Sequence, residues 1–280
     1  MADTGIITLL LIVANIIFSY RGLTSPSFFE AYEFEVDKVL LNRDYKRLVT
    51  SGFLHVGWTH LIFNMLSLYF FSSIELYLGW LPFLLVYFAS LAGGNLFALF
   101  IHKRHGSYSS VGASGAVCGI IFASITLNPG QGIGFFFIPV SIPGWVYGLM
   151  FVLFSIYGIR SKRDNIGHEA HLGGALIGMA IAILIKPSSL VYNYLPILAV
   201  AVPSIIFIYI IISRPHVLLI DNFFFKKNKK YYNADQKYNV EKNNIQQEVD
   251  RILEKIHQKG MNSLSKKEKE ILKQYSKERR

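Results

Sequence analysis

The sequence predicts an all-α membrane protein that carries a short basic tail. Of its 280 residues, 52% are hydrophobic and only 16% are charged, whereas a soluble domain has about 25% charged residues. Through Ser213 there are 11 Lys and Arg against 9 Asp and Glu, and from Arg214 onward there are 17 against 9. The body therefore has a net charge of +2 and the tail +8. This split separates an apolar, membrane-embedded body from a basic appendage.

Seven apolar stretches are candidate membrane helices, since a bilayer core takes about 20 mostly apolar residues per helix, although the first and fourth are slightly short. The predicted spans are Gly5–Tyr20, Trp58–Leu78, Trp80–Ile101, Gly112–Leu127, Pro143–Ile159, His168–Ile185 and Leu195–Ser213. No basic residue precedes the first stretch and no small-residue cleavage site follows it. We therefore expect a retained span there rather than a cleaved signal peptide.

The link between the first two spans, residues 21–57, is the longest in the body. Aromatic and acidic residues are frequent in its first half, and basic residues follow at Arg43, Lys46 and Arg47. A connection of this length is usually functional or lies along the membrane surface. We therefore expect short amphipathic helices within it.

The tail begins with a polar linker whose lysines are concentrated in Lys226–Lys230. Such a cluster near a membrane helix is typical of contact with anionic lipid headgroups, although a plain solvated linker has the same composition. The expected partners of the tail are therefore the lipid bilayer and its anionic headgroups, and no nucleic acid.

A small helical hairpin is predicted after this linker. In residues 245–258, apolar side chains recur on one helical face, at Val249, Ile252, Leu253 and Ile256. Gly260 supplies a stop. Ser265, with Glu268 three residues later, has the pattern of a capping box at the start of a second helix.

Ser114 lies among small residues at the start of the fourth span. A hydroxyl in an apolar helix usually bonds to the preceding turn, so helix packing is the simplest interpretation of this serine alone. Gly115 and Gly119 lie four residues apart on this span, and Gly174 and Gly178 repeat the spacing on the sixth. Small residues at this spacing let membrane helices approach closely. We therefore expect the fourth and sixth spans to be partners.

His171 shares a helical face with Gly174 and Gly178, because it precedes them by three and seven residues. If that face meets the one that bears Ser114, an imidazole reaches a hydroxyl in a water-poor setting. This is the requirement for an activated serine, a base within about 2.6–3.2 Å of the hydroxyl. The alternative is a buried histidine that only holds two helices together.

Two polar residues, His60 and Asn64, lie four apart on one face of the second span. Burying them in a bilayer costs several kcal/mol unless both find partners. They are either a structural pair between helices or two donors directed at a developing oxyanion. His55, just before the span, either lines the same site or anchors the loop.

A zinc site is not predicted. The segment His168-Glu169-Ala170-His171 has one residue between the glutamate and the second histidine, whereas the metalloprotease signature needs two. Cys118 is the only cysteine, which excludes an intramolecular disulfide.

Together these residues resemble the rhomboid family of intramembrane serine proteases. The matching motifs occur in family order and cover about half of the chain, from Arg47 to Ile185. They are Arg47 with Thr50–His55, His60-x-x-x-Asn64, Glu75 with Gly79, Gly112-Ala113-Ser114-Gly115, and Ala170-His171-x-x-Gly174-x-x-x-Gly178. A Gly-x-Ser-Gly motif alone would be weak, but the whole set is specific.

The resemblance implies a fold and a domain organisation. The fold would be a six-helix rhomboid-type bundle, to which the seventh span and the small helical tail are added. The domains would be a catalytic core over 1–190, the additional span over 191–214, and a basic soluble tail over 215–280. The expected location is multi-pass in a bacterial cytoplasmic (inner) membrane.

The resemblance also implies roles for the candidate residues. Ser114 would be the nucleophile and His171 the general base, without an acidic third member. His60, Asn64 and the Ser114 backbone N–H would form an oxyanion hole. The site-supporting residues would be Gly112, Gly115, Gly174, Gly178, His55 and Cys118. Substrates would be single-pass membrane proteins cut in or near their transmembrane helix, and neither a cofactor nor a metal is expected.

Two positions depart from the family pattern. Members often carry an aromatic residue four positions after the serine, packed on the histidine ring, and here that residue is Cys118. The residue before Arg47 is frequently tryptophan in the family, and here it is Lys46. Neither change removes a catalytic atom. The alternative function is a non-catalytic rhomboid-like protein that binds membrane helices, although such members lose the serine or histidine that this chain keeps.

The charge distribution conflicts with the usual family orientation. The links after the first, third and fifth spans hold ten Lys and Arg, and those after the second, fourth and sixth hold one, Lys186. Charge bias places the richer side in the cytoplasm, whereas the family usually opens its site outward on that side. An inverted orientation, a seventh span that does not fully cross, and loop docking that overrides the bias all remain open.

Overall fold

The computed structural model describes most of the body and scattered positions of the tail. The described residues are 5–103, 105–135, 138–161 and 166–213, and then 249, 251–253, 255–256, 264–265, 268–269, 271–272 and 275. The chain separates into two compact units, Met1–Asn222 and Phe223–Arg280. The predicted domain limits at residues 190 and 214 stay predictions.

Helices dominate the first unit, as the all-α prediction requires. They are α1 Ile6–Thr24, α2 Pro26–Tyr32, α3 Val36–Leu40, α4 Arg47–Thr50, α5 Trp58–Phe70, α6 Ser73–Leu78, α7 Trp80–His102, α8 Ser114–Leu127, α9 Gly144–Ser161, α10 His168–Ile185, α11 Ser189–Tyr192 and α12 Tyr194–Ser213, with a 3-10 turn at Ser51–Phe53. Two short antiparallel strand pairs accompany them, β1 (Phe34–Glu35) with β2 (Ser109–Ser110) and β3 (Gly132–Phe135) with β4 (Ile138–Pro143).

Four of these helices, α1, α7, α10 and α12, are long and apolar enough to cross a membrane, and α8 and α9 are shorter apolar helices. Many large apolar side chains on them are exposed, for example Leu184 and Leu195. Such surfaces are stable only in lipid. The protein is therefore an integral, multi-pass membrane protein.

The predicted second span, Trp58–Leu78, is wrong as a single helix. The chain breaks after Phe70, and α6 begins at Ser73. The break lets the Glu75 carboxylate accept bonds from the backbone N–H groups of Ile7 (3.0 Å) and Thr8 (2.8 Å). These are unpaired donors of the first turn of α1, and a carboxylate at a helix N-terminus also opposes the helix dipole favourably.

The long link after α1 contains the expected short helices, α2, α3 and α4. The buried guanidinium of Arg47 holds them in place. It donates to the carbonyl oxygens of Glu30 (2.9 Å) and Glu33 (2.6 Å), and to the carboxylate of Asp44 (2.9 Å). A single side chain thus ties three parts of the link together.

The hairpin of β3 and β4 was not among the predicted elements. Its register pairs Gly132 with Pro143 and Ile133 with Ile142. Glycine and proline disfavour a helix interior, while β-branched residues favour strands. The link between α8 and α9 therefore folds back on itself.

In the second unit, the predicted capping box is confirmed. The Ser265 hydroxyl accepts from the Glu268 N–H (3.3 Å), and the Glu268 carboxylate accepts from the Ser265 N–H (2.6 Å). Lys255 donates to both carboxylate oxygens (2.9 Å each). Its hydrogen bond, with the bonds from Ser265, lowers the pKa of Glu268 to about 2.

The predicted apolar face of the first tail helix needs one correction. Val249 and Ile252 are buried, but Leu253 is half exposed, because it lies about 100° around the helix from its neighbour. The predicted stop at Gly260 and the lipid-contact run Lys226–Lys230 lie outside the described residues.

Candidate active site

Ser114 and His171, placed on different predicted spans, come together in the structure. Ser114 is the first residue of α8, and His171 lies in the first turn of α10. The distance between His171 Nε2 and Ser114 Oγ is 2.6 Å, which is a short hydrogen bond. An imidazole nitrogen so placed can accept the hydroxyl proton.

Glycines on the facing sides of α8 and α10 let the two helices approach closely enough for this hydrogen bond. A Cβ atom on Gly174 would collide with the carbonyl oxygen of Gly115, and one on Gly178 with that of Gly119. The two backbones are therefore in direct contact, as the four-residue spacing predicts. Helix α7 approaches α10 equally closely, since a Cβ on Gly94 would strike the carbonyl oxygen of Ala170. The helix that carries His171 is therefore in close backbone contact with both α7 and α8.

Gly112 shapes the turn that leads to Ser114. Its φ of +131° lies where side chains are rarely tolerated. A Cβ there would come within 2.7 Å of the His60 ring and 3.6 Å of Ser114 Oγ. His60 thus lies beside the turn that presents the hydroxyl.

Asn64 lies one turn further along α5 on the same face as His60, and it is buried. Its amide donates to the carbonyl oxygen of His60 at 3.1 Å. This bond occupies one of the two amide hydrogens. The predicted pair is therefore on one face, with Asn64 also bonded within its own helix.

His55 anchors the backbone just before Ser114. Its Nε2 accepts from the Ala113 N–H at 3.4 Å, and its Nδ1 lies 2.8 Å from the Ser19 hydroxyl, which donates to the Phe53 carbonyl at 2.9 Å. These partners require a neutral ring with the proton on Nδ1. Burial, with a smaller contribution from His60, lowers the pKa of His55 to about 3. His55 thus anchors the loop, and its ring also lies 4.8 Å from the His60 ring, between centroids, so it adjoins the candidate site.

Cys118 is buried as a free thiol one turn after Ser114. Aromatic neighbours of His171 are found instead on α9 and on α10 itself. The Phe151 ring of α9 lies 6.3 Å from the His171 ring, between centroids, and the His168 ring lies at 6.1 Å. Sequence reasoning did not identify Phe151 as part of this site.

A second buried polar group secures the start of α10. His102 Nε2 lies 2.8 Å from a carboxylate oxygen of Glu169, and both residues are buried. Tyr108 stacks on the His102 ring with centroids 3.6 Å apart. Burial, with a smaller contribution from Glu169, raises the pKa of Tyr108 well above its ordinary value.

Sequence reasoning missed His102 and Ser19 as well, although a signal existed for each. Ser19 belongs to a polar row with Thr8 and Asn15 on an otherwise apolar α1, and all three are buried. Polar residues at spacings of seven and four mark the protein-facing side of a membrane helix. His102 and Glu169 lie at the ends of two neighbouring spans. Within the part of the chain that the structure describes, no group of His, Cys, Asp or Glu could hold a metal ion.

Comparison with known proteins identifies the family of the region that contains these residues. Residues 42–188 match the Rhomboid domain, a stretch that includes His55, His60, Ser114 and His171. The chain belongs to the rhomboid family. Residues 232–278 separately match a family of unknown function, DUF6576, so this rhomboid protein carries a tail of a recurrent type.

Its relatives include RHOMBOID-like protein 12, mitochondrial, of Arabidopsis thaliana, 35% identical over 46% of this chain and 43% of that protein. Rhomboid protein 1, mitochondrial, of Saccharomyces cerevisiae is 30% identical over 59% and 51%. Rhomboid protease AarA of Providencia stuartii is 30% identical over 64% and 71%. The chain spans about half the length of the first two relatives. Some rhomboid relatives are thus named proteases.

Proposed function

We propose that this rhomboid protein is an intramembrane serine endopeptidase with a Ser114–His171 dyad. The observation that carries the proposal is the 2.6 Å distance between His171 Nε2 and Ser114 Oγ inside a bundle of membrane helices. A base at that distance is what a weakly nucleophilic hydroxyl needs. Membership of a family with protease-named relatives supports the same conclusion.

The dyad accounts for both halves of the reaction. Ser114 Oγ bonds to the carbonyl carbon of the scissile peptide while its proton passes to His171 Nε2. The imidazolium then returns that proton to the leaving amine as the C–N bond breaks, which leaves an acyl-enzyme. Water hydrolyses the ester with His171 again as base.

The negative charge of the tetrahedral intermediate would lie at the start of α8. Ser114 is the first residue of that helix, so its N–H is among those without an intrahelical acceptor. The helix dipole also favours an anion there. His60 beside Gly112, with Asn64 one turn away, would supply two further donors.

The substrates would be single-pass membrane proteins cut in or near their transmembrane helix. The nucleophile lies between membrane helices, so a substrate reaches it from the bilayer, and a helix must unwind locally to expose a peptide carbonyl. We propose a bacterial cytoplasmic membrane as the location, supported by relatives from Providencia stuartii and Bacillus subtilis.

The test is cleavage of a reporter with one transmembrane segment, co-reconstituted with the protein in vesicles. Ser114→Ala and His171→Ala should each reduce cleavage to background, because the two groups act as a unit. Asn64→Ala should lower kcat by about 10²–10³-fold, the usual loss for one oxyanion donor. Ser204→Ala is a matched control, since Ser204 is a buried helical serine of α12 bonded to its own helix.

A fluorophosphonate that labels activated serines gives a second readout. Wild-type protein should be labelled at Ser114, and His171→Ala should not. If Ser114→Ala cleaves the reporter as fast as wild type, the mechanism is wrong. If wild type neither cleaves nor becomes labelled, the protein is a non-catalytic relative that binds membrane helices.

A further inference from the structure

Helix α9 presents a row of aromatic residues to the end of α10 that carries His171. Tyr147, Phe151 and Phe154 are spaced four and three residues apart, so they share one face of α9. The rings of Tyr147 and Phe151 are stacked at 6.2 Å between centroids, and Phe154 meets the His168 ring at 5.2 Å. The two histidines of the first turn of α10 therefore each have an aromatic neighbour from α9.

Phe151 contacts both helices of the dyad. Its ring lies 6.3 Å from the His171 ring and 5.3 Å from the Phe122 ring of α8, between centroids. Ser114, Cys118 and Phe122 are four residues apart in turn, so they line one face of α8. The Phe151 ring therefore lies near both α8 and the His171 ring of α10.

Position 118, one turn after Ser114 on this face of α8, carries no ring. Cys118 has a single heavy atom beyond Cβ and is buried. The aromatic ring from another helix that lies near His171 is Phe151 of α9.

We propose that Phe151 is the positioning residue for the His171 imidazole, supplying from α9 the aromatic surface that position 118 lacks. The inference rests on the proposed Ser–His function. Aromatic rings at 4.5–7 Å prefer defined mutual orientations, so Phe151 restricts rotation of the imidazole and keeps Nε2 directed at Ser114 Oγ.

The experiment measures the rate at which a small fluorophosphonate labels Ser114 in the full chain, purified in detergent. This probe needs no substrate helix, so changes in substrate entry do not affect the rate. Phe151→Ala should slow labelling about ten-fold or more, since small displacements of a catalytic group cost up to about 10²-fold. Phe151→Tyr, which keeps the ring, should stay within about two-fold of wild type. For reporter cleavage, kcat should fall and KM should change little.

Two variants separate positioning from general packing. Phe154→Ala removes an equivalent ring from the same face of α9, but one that contacts His168, and should label within about three-fold of wild type. Cys118→Phe combined with Phe151→Ala moves the ring from α9 to α8 and should recover most of the lost rate. If Phe151→Ala does not fold, Phe151→Leu answers the question, because it keeps apolar volume without a ring.

The proposal is overturned if Phe151→Ala, or Phe151→Leu in its place, labels at or above the wild-type rate. It is also overturned if the Cys118→Phe, Phe151→Ala double variant stays as slow as Phe151→Ala. Failure of the proposed function has a different signature, which is wild-type protein that is never labelled at Ser114. Wild-type labelling with an unaffected Phe151→Ala variant contradicts only the role of Phe151.

Discussion

Helix α8 contacts α10 through its backbone and contacts α9 through aromatic rings. The first interface is built from glycines whose Cα atoms lie against opposing carbonyl groups. The second is built from side chains such as Phe122 and Phe151, with centroids 5.3 Å apart. A backbone contact cannot adjust to an added atom, whereas a side-chain contact can shift by a rotamer. The α8–α10 interface therefore sets the distance between Ser114 and His171, and the α9 interface refines the orientation of the imidazole.

The largest effect should come from adding one methyl group to the glycine interface. Gly174→Ala places a Cβ against the Gly115 carbonyl group, so α8 and α10 must separate. Because a displacement of about 1 Å can cost about 10²-fold in rate, we expect reporter cleavage to fall by at least that factor, with a lower melting temperature in detergent.

Gly148→Ala is the matched control on the α9 side. Its Cβ would lie 3.2 Å from a methyl group of Val200 and 3.5 Å from one of Ile125, and both side chains can move. Activity should stay within about two-fold of wild type, since a side-chain shift leaves the dyad distance unchanged. If Gly174→Ala and Gly148→Ala lose activity equally, the α8–α10 interface does not control the Ser114–His171 distance more strictly than the α9 interface does.

A smaller effect is expected at the polar anchor of α10. Glu169→Gln replaces the buried carboxylate that faces His102 at 2.8 Å with a neutral amide of the same shape. A hydrogen bond to a charged group contributes about 1–2 kcal/mol more than a neutral one. We therefore expect the melting temperature in detergent to fall by several degrees, with only a modest loss of cleavage.

Glu169→Ala removes the hydrogen-bonding group altogether and is therefore the more disruptive substitution at this position. It should lower the melting temperature further than Glu169→Gln, because it leaves the buried His102 ring without this partner. If the two variants unfold at the wild-type temperature, the pair does not hold α10 in place.

The anchor before Ser114 should show no effect at neutral pH, and its effect appears only as pH is lowered. The pKa of His55 is about 3 in the folded protein against an ordinary 6.5, so the unfolded chain binds the proton more readily. Its stabilising contribution is complete above pH 6.5 and is lost as pH falls toward 3, by about 1.4 kcal/mol per pH unit.

His55→Gln tests this dependence, because glutamine can accept from Ala113 and donate to Ser19 but does not titrate. Melting temperatures measured between pH 7 and pH 5 should decline less for this variant than for wild type. If the melting temperatures of the variant and the wild type decline equally, protonation of His55 does not contribute to the pH dependence of stability.

Local patterns were predictable because they depend on neighbours in the chain. The capping box of Ser265 and Glu268 forms as its three-residue spacing requires. The partnership of α8 and α10 followed from the spacing of Gly174 and Gly178, since membrane helices approach closely only where side chains are small. The break after Phe70 was not predictable, because Glu75 caps a helix 67 residues away.

The sequence by itself determined an apolar helical bundle with a serine, a histidine and glycines at matching positions. Only the tertiary structure decided which face of α9 meets the dyad, and hence that Phe151 accompanies His171. The physical reason is that large apolar side chains occur around most of α9, as in many helices that contact lipid. Its sequence carries only a weak marker of the protein-facing side, the buried Ser155 four residues after Phe151. The packing of α9 against α8 and α10 brings the Phe151 ring to His171.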